Sequence, residues 1–203
     1  MRTTLSEEHI REIVRKSVYE ALGVPLPNQQ VAPPAMKAQP KDDPSQKTIE
    51  GRTVAIGTDH GGVDLKDILK QDLISLGYKV IDVGTHTKDA VDYPDIARQV
   101  AELVAKGQAW RGVVIDGAGI GSCMAANKVP GVRAAMCYDY ATAVNSREHN
   151  NANVLTLGAG LLEVNLAQRI LKTWLRTAFG GGRHARRVEK ITAIETSYSR
   201  DGK

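Results

Sequence analysis

Aromatic residues are scarce in this chain of 203 residues, which has one Phe, two Trp and six Tyr. A core must therefore be assembled from Val, Ile, Leu and Ala. Cysteine is almost missing, with only Cys123 and Cys137. Neither belongs to a CxxC pair or neighbours a metal-spaced His cluster, so no zinc or other metal site is expected. Nothing else points to secretion, and reduced thiols in a cytoplasm are the expectation. No apolar run approaches the roughly 18 residues needed to span a membrane, and the N-terminus lacks a secretory apolar stretch. A large charge of one sign is also lacking. The formal net charge of +4 suits anionic small molecules and is too small and dispersed to argue for nucleic acid.

What is present divides into three segments. Residues 1–23 hold an amphipathic helix over 5–22. Ser6 is its N-cap, Glu7 and Glu8 suit the positive end of the helix dipole, and Leu5 with Ile10 forms a hydrophobic staple. Ile10, Ile13, Val14, Val18, Ala21 and Leu22 recur at helical spacing, and Gly23 is a stop signal. Residues 24–51 carry six of the eight prolines and no aromatic residue. That composition cannot bury a core and reads as a disordered linker. Residues 52–203 alternate strand, turn and helix, with short apolar strands beginning near Thr53, Tyr78, Arg111, Val132 and Asn153. Repeated βα units with apolar strands predict a Rossmann-like αβα sandwich around a five-stranded parallel sheet.

In such folds ligands meet the carboxyl ends of strands. The first strand ends in TDHGG (58–62), placing Asp59 and His60 between glycine-permitted turns. The third ends in DGAGIGS (116–122) and runs into a helix. Glycines let the backbone N–H groups of Gly117, Ala118, Gly119, Gly121 and Ser122 converge, which suits a phosphate or a developing oxyanion. A dinucleotide fold would put this loop after the first strand, so that reading is set aside. Two further clusters are REHNN (147–151), with His149 and Asn150, and GGRHARR (181–187), with Arg183, Arg186 and Arg187. Guanidinium groups match phosphate oxygens bidentately.

These motifs, with VDYPD (91–95), GVRAA (131–135) and their order along 53–194, resemble the ribose-5-phosphate isomerase B family, which includes the galactose-6-phosphate isomerase subunits. The resemblance implies an enzyme that moves a proton between C2 and C1 of an open-chain aldose phosphate through a cis-enediolate. It implies no cofactor, and a homodimer or tetramer with sites shared between subunits. It assigns Asp59 and His60 to the sugar and phosphate end, and loop 117–122 to the enediolate oxygen. His149 would open the ring, Asn150 would hold hydroxyls, and Arg183 and Arg187 would grip the phosphate. The tethered helix at 5–22 resembles the encapsulation peptides of bacterial microcompartment cargo, which implies a shell or cargo protein as partner.

One departure bears on the chemistry. Most family members have Cys at the position of Asp116, and its thiolate is the base; Ala118 replaces a Thr, and Ser122 stands where some members have a Glu base. A free carboxyl titrates near ~3.9 and a free thiol near ~8.5, so a carboxylate is the weaker base unless desolvated. Three readings stay open: Asp116 is the base, Cys123 is the base, or the protein binds sugar phosphate without efficient turnover. Cys123, one position past Ser122, sits about 100° around a helix and is expected to point elsewhere. Ribose 5-phosphate is the leading substrate, a six-carbon aldose phosphate its rival.

Overall fold

The computed structural model describes residues 52–198, so the helix and linker expected at 5–22 and 24–51 lie outside the described residues. Five strands, β1 (Thr53–Thr58), β2 (Lys79–Asp82), β3 (Arg111–Asp116), β4 (Ala134–Met136) and β5 (Val154–Gly158), form one sheet in the order β2-β1-β3-β5-β4. Every pairing is parallel. The expected αβα sandwich is therefore observed.

Strand alternation sorts the core into two faces. Val54, Ile56, Val113, Ile115, Leu155 and Leu157 pack with helices α1 (Val63–Ser75), α4 (Tyr140–Glu148) and α5 (Val164–Arg176). Ala55 and Val114 face α2 (Tyr93–Ala105) and α3 (Ile120–Ala126). Small residues on this second face let α2 approach closely. A Cβ at Gly57 would stand 2.7 Å from Ile96 Cγ2, and one at Gly112 would stand 2.6 Å from Val100 Cγ1.

Both tryptophans pack against one buried guanidinium. The Arg111 guanidinium lies 4.0 Å from the Trp110 ring and 4.9 Å from the Trp174 ring. It donates to the Trp174 and Leu175 carbonyls at 2.9 and 3.1 Å, closing the negative end of α5. The last helix, α6 (Arg183–Tyr198), buries none of its residues and exposes Ile191, Ile194 and Tyr198.

Candidate active site

The strand order reverses between β1 and β3. The chain leaves β1 toward the α1 face and leaves β3 toward the α3 face, which opens a crevice at the carboxyl ends of these neighbours. Thr58 pairs with Ile115, so Asp59, just past the end of β1, and Asp116, the last residue of β3, stand side by side at its mouth. The Asp59 N–H donates to the Ile115 carbonyl at 3.3 Å.

Asp116 is only 4% exposed. One carboxylate oxygen accepts the Ala118 N–H at 2.8 Å and the Gly119 N–H. The other accepts the Ser122 N–H at 2.9 Å. Loop 117–122 thus forms the amide cradle that its glycines predict, and three of its N–H groups hold the chain's own carboxylate. Gly119 makes this possible with φ +80°, and a Cβ there would stand 2.9 Å from the Leu157 carbonyl carbon. Gly119→Ala is expected to cost about 2–5 kcal/mol, from the left-handed backbone plus the clash. A thermal midpoint within a degree of wild type would contradict this.

Across the crevice, the Asp59 carboxylate accepts the Gly61 N–H at 2.9 Å and caps the short turn His60–Gly62. His60 is exposed. Its Nδ1 accepts the Val91 N–H at 3.4 Å, which leaves Nε2–H directed away from that contact as a donor.

The remaining expected residues lie elsewhere. In a parallel sheet the helix after a strand runs back, so His149 and Asn150, at the end of α4, sit at the amino-terminal edge of the strands. His149 stacks on His184 with ring centroids 4.2 Å apart. That stack brings the start of α6, with exposed Arg183 and Arg187, to the same edge. Gly180 N–H donates to the Glu148 carbonyl at 2.9 Å and fixes the approach. Desolvation, then His149, Arg183 and Arg187, pull the His184 imidazole below its ordinary value. A five-residue strand at about 3.3 Å per residue separates the two clusters by roughly 16 Å. One chain therefore gathers Asp59, His60, Asp116 and the loop at one end, and His149, Asn150, Arg183 and Arg187 at the other.

Cys123 turns away from the crevice. Its Sγ contacts the Ala134 carbonyl at 3.4 Å. Cys137 is buried beside Ser146, and burial pushes its thiol up to about 11. A neutral alkylating reagent at pH 8 should therefore modify Cys123 well before Cys137, because thiolate is the nucleophile. Equal labelling of both by peptide mass spectrometry would contradict the buried placement.

Three features of the crevice escaped the sequence. Tyr93 covers the glycine loop; a Cβ at Gly121 would stand 2.5 Å from its ring. The GxGxG spacing hints that something lies close, but not what. Ser122 Oγ is fully buried and has no hydrogen-bond partner. Lys66, fully buried in α1, donates to both Asp82 carboxylate oxygens (3.3 and 3.1 Å) and to the Thr85 carbonyl (3.1 Å). Burial would raise the Asp82 carboxyl, but hydrogen bonds from Lys70 and Lys66 outweigh it and hold it below the usual range. The Thr85 N–H then donates to the Thr58 carbonyl, which pins the residue before Asp59. A lysine on an amphipathic helix looks solvent-facing in sequence, so this anchor left no signal.

Among the described residues no three His, Cys, Asp or Glu side chains group as metal ligands, and no helix is long and apolar enough to cross a membrane. The fold and crevice together define an α/β protein with an amide cradle at its topological switch point. The pattern of the ribose/galactose isomerase family matches residues 54–191. Ribose-5-phosphate isomerase B of Escherichia coli K12 is 44% identical over 144 residues, covering 71% of this chain and 97% of that one. D-erythrulose-4-phosphate isomerase of Pectobacterium atrosepticum is 41% identical over 144 residues, covering 70% and 95%. The solved ribose-5-phosphate isomerase B of Clostridium thermocellum superimposes with a TM-score of 0.72 at 52% identity, covering 72% of this chain and 99% of that one. The chain belongs to the ribose/galactose isomerase family and is a sugar-phosphate isomerase.

Proposed function

We propose that this chain interconverts ribose 5-phosphate and ribulose 5-phosphate through a cis-enediolate, with Asp116 as the base in place of the family's Cys. The observation that carries this reading is the buried Asp116 carboxylate set among amide donors beside Asp59 and His60. A proton next to a carbonyl is weakly acidic, so a base must act together with oxyanion stabilisation.

The site is shared by two copies of the chain. No five- or six-carbon sugar phosphate spans the length of a strand, so Asp116 of one copy works with His149, Asn150, Arg183 and Arg187 of another. The uncovered apolar residues of α6 support a homodimer. His149 opens the furanose ring, Asn150 holds hydroxyls and the two arginines grip the phosphate. Phosphate binding far from C1 positions the reacting carbons.

A coupled assay across ribose 5-phosphate, six-carbon aldose phosphates and D-erythrulose 4-phosphate tests the substrate. The largest kcat/KM is expected for ribose 5-phosphate; a preference for another sugar overturns that assignment. The occupied cradle favours one alternative, a protein that binds sugar phosphate with little turnover. Binding without any ketose formed would support it. For residues 5–22, docking to a microcompartment shell or cargo protein remains the proposal. A reporter fused to residues 1–23 should co-localise with shell proteins, and a diffuse signal would count against it.

A further inference from the structure

The amides that an enediolate oxygen requires are already in use. Ala118, Gly119 and Ser122 all direct their N–H groups at Asp116. A thiol in this position would leave such amides without a strong acceptor, so Asp changes what the cradle holds as well as the strength of the base. Two anions cannot both keep these donors, because a carboxylate and an oxyanion in one small, water-poor space repel each other.

We propose that Asp116 and the reacting sugar oxygen take turns in the cradle, exchanging it as the proton moves. This rests on the isomerase reading above. An ionised carboxylate offers about four acceptor sites, of which three are filled here, leaving one for the proton. The C2–H bond breaks, its electron pair forms the C1–C2 double bond, and the carbonyl pair becomes the oxyanion on O1. The proton joins Asp116, whose oxygens lose their charge and their hold on the amides. The same amides then serve the enediolate. A proton passes from O2 to O1, the Asp116 proton is delivered to C1, and the ketone forms at C2 while the carboxylate returns to its amides. One negative charge occupies the cradle throughout. Ser122 Oγ, buried without a partner beside the amide that holds Asp116, supplies a spare donor during the exchange.

The test uses 4-phosphoerythronate, a non-reacting anion whose carboxylate carries the charge of the enediolate. Calorimetry of the full-length wild type at pH 8, in two buffers of different ionisation enthalpy, should show uptake of about one proton per probe bound. Asp116→Asn should take up none and bind the probe at least about tenfold tighter, because the resident charge is gone. Absence of proton uptake by the wild type overturns the exchange, even if Asp116→Asn fails to fold. Equal or weaker binding by a folded Asp116→Asn also overturns it. The isomerase reading fails separately: a wild type inactive on every aldose phosphate in the panel overturns that reading, whereas an active wild type without proton uptake overturns the exchange alone.

Discussion

Asp116→Asn is expected to lower kcat by about 10²–10⁴-fold, the usual contribution of a positioned base, with KM for the sugar phosphate little changed. Asn keeps the size of Asp and an oxygen for the Ala118 and Gly119 amides, but it cannot take a proton from carbon. KM should hold because the arginines proposed to bind the phosphate belong to a different cluster, and a loss in kcat alone marks an interaction made at the transition state. The substitution also has a structural cost. The Ser122 N–H now donates to a carboxylate oxygen, and in Asn that position is an NH₂. A buried donor left without an acceptor costs about 1–3 kcal/mol, so the thermal midpoint should fall by a few degrees while the fold persists. Undiminished turnover would remove Asp116 from the chemistry. Because Cys123 points at Ala134, Cys123→Ala should leave turnover within about twofold of wild type, since nothing it touches reacts.

The double substitution Arg183→Ala with Arg187→Ala is expected to raise KM by roughly 10²–10⁴-fold. A charge-assisted hydrogen bond to a phosphate contributes about 1.5–3 kcal/mol, so two arginines together account for that range. The kcat should fall as well, because binding energy from the non-reacting phosphate holds C1 and C2 at the base. Stability should hardly move. Both side chains are exposed and α6 buries none of its own residues, so no core contact is lost. Inhibition by inorganic phosphate should weaken in parallel. If KM stayed at the wild-type value while phosphate inhibition persisted, the anion must bind elsewhere.

The fold was largely legible because its signals are local. Alternating apolar strands, helical spacing at Leu65, Leu69 and Leu73, and the glycines that end elements mark the βα units to within a few residues. The switch-point position of Asp59 and Asp116 follows from reading only the strand ends. Other features were hidden because they depend on tertiary placement. The strand order is set by packing across both faces, and no short-range pattern encodes it. The motif match placed Asp116 beside the glycine loop, but whether its carboxylate stands outside the cradle or within it depends on one side-chain torsion. The separation of His149 from Asp116 was implied only through the family's shared sites; in this structure it follows from α4 running back along the sheet. Lys66 was invisible for a different reason: its buried charge is satisfied by Asp82 and Thr85, far along the chain.

In the proposed site, the Asp116 end of one chain works with the Arg183–Arg187 end of another. Mixing two inactive proteins tests it. Asp116→Asn chains and chains carrying both arginine substitutions would be dissociated, combined in equal amounts and reassembled, with hybrid dimers counted by native mass spectrometry. Each hybrid would contain one site with both defects and one with neither, so about a quarter of wild-type activity should return. Hybrids that form and remain inactive would mean that both groups act within a single chain, contrary to the geometry described.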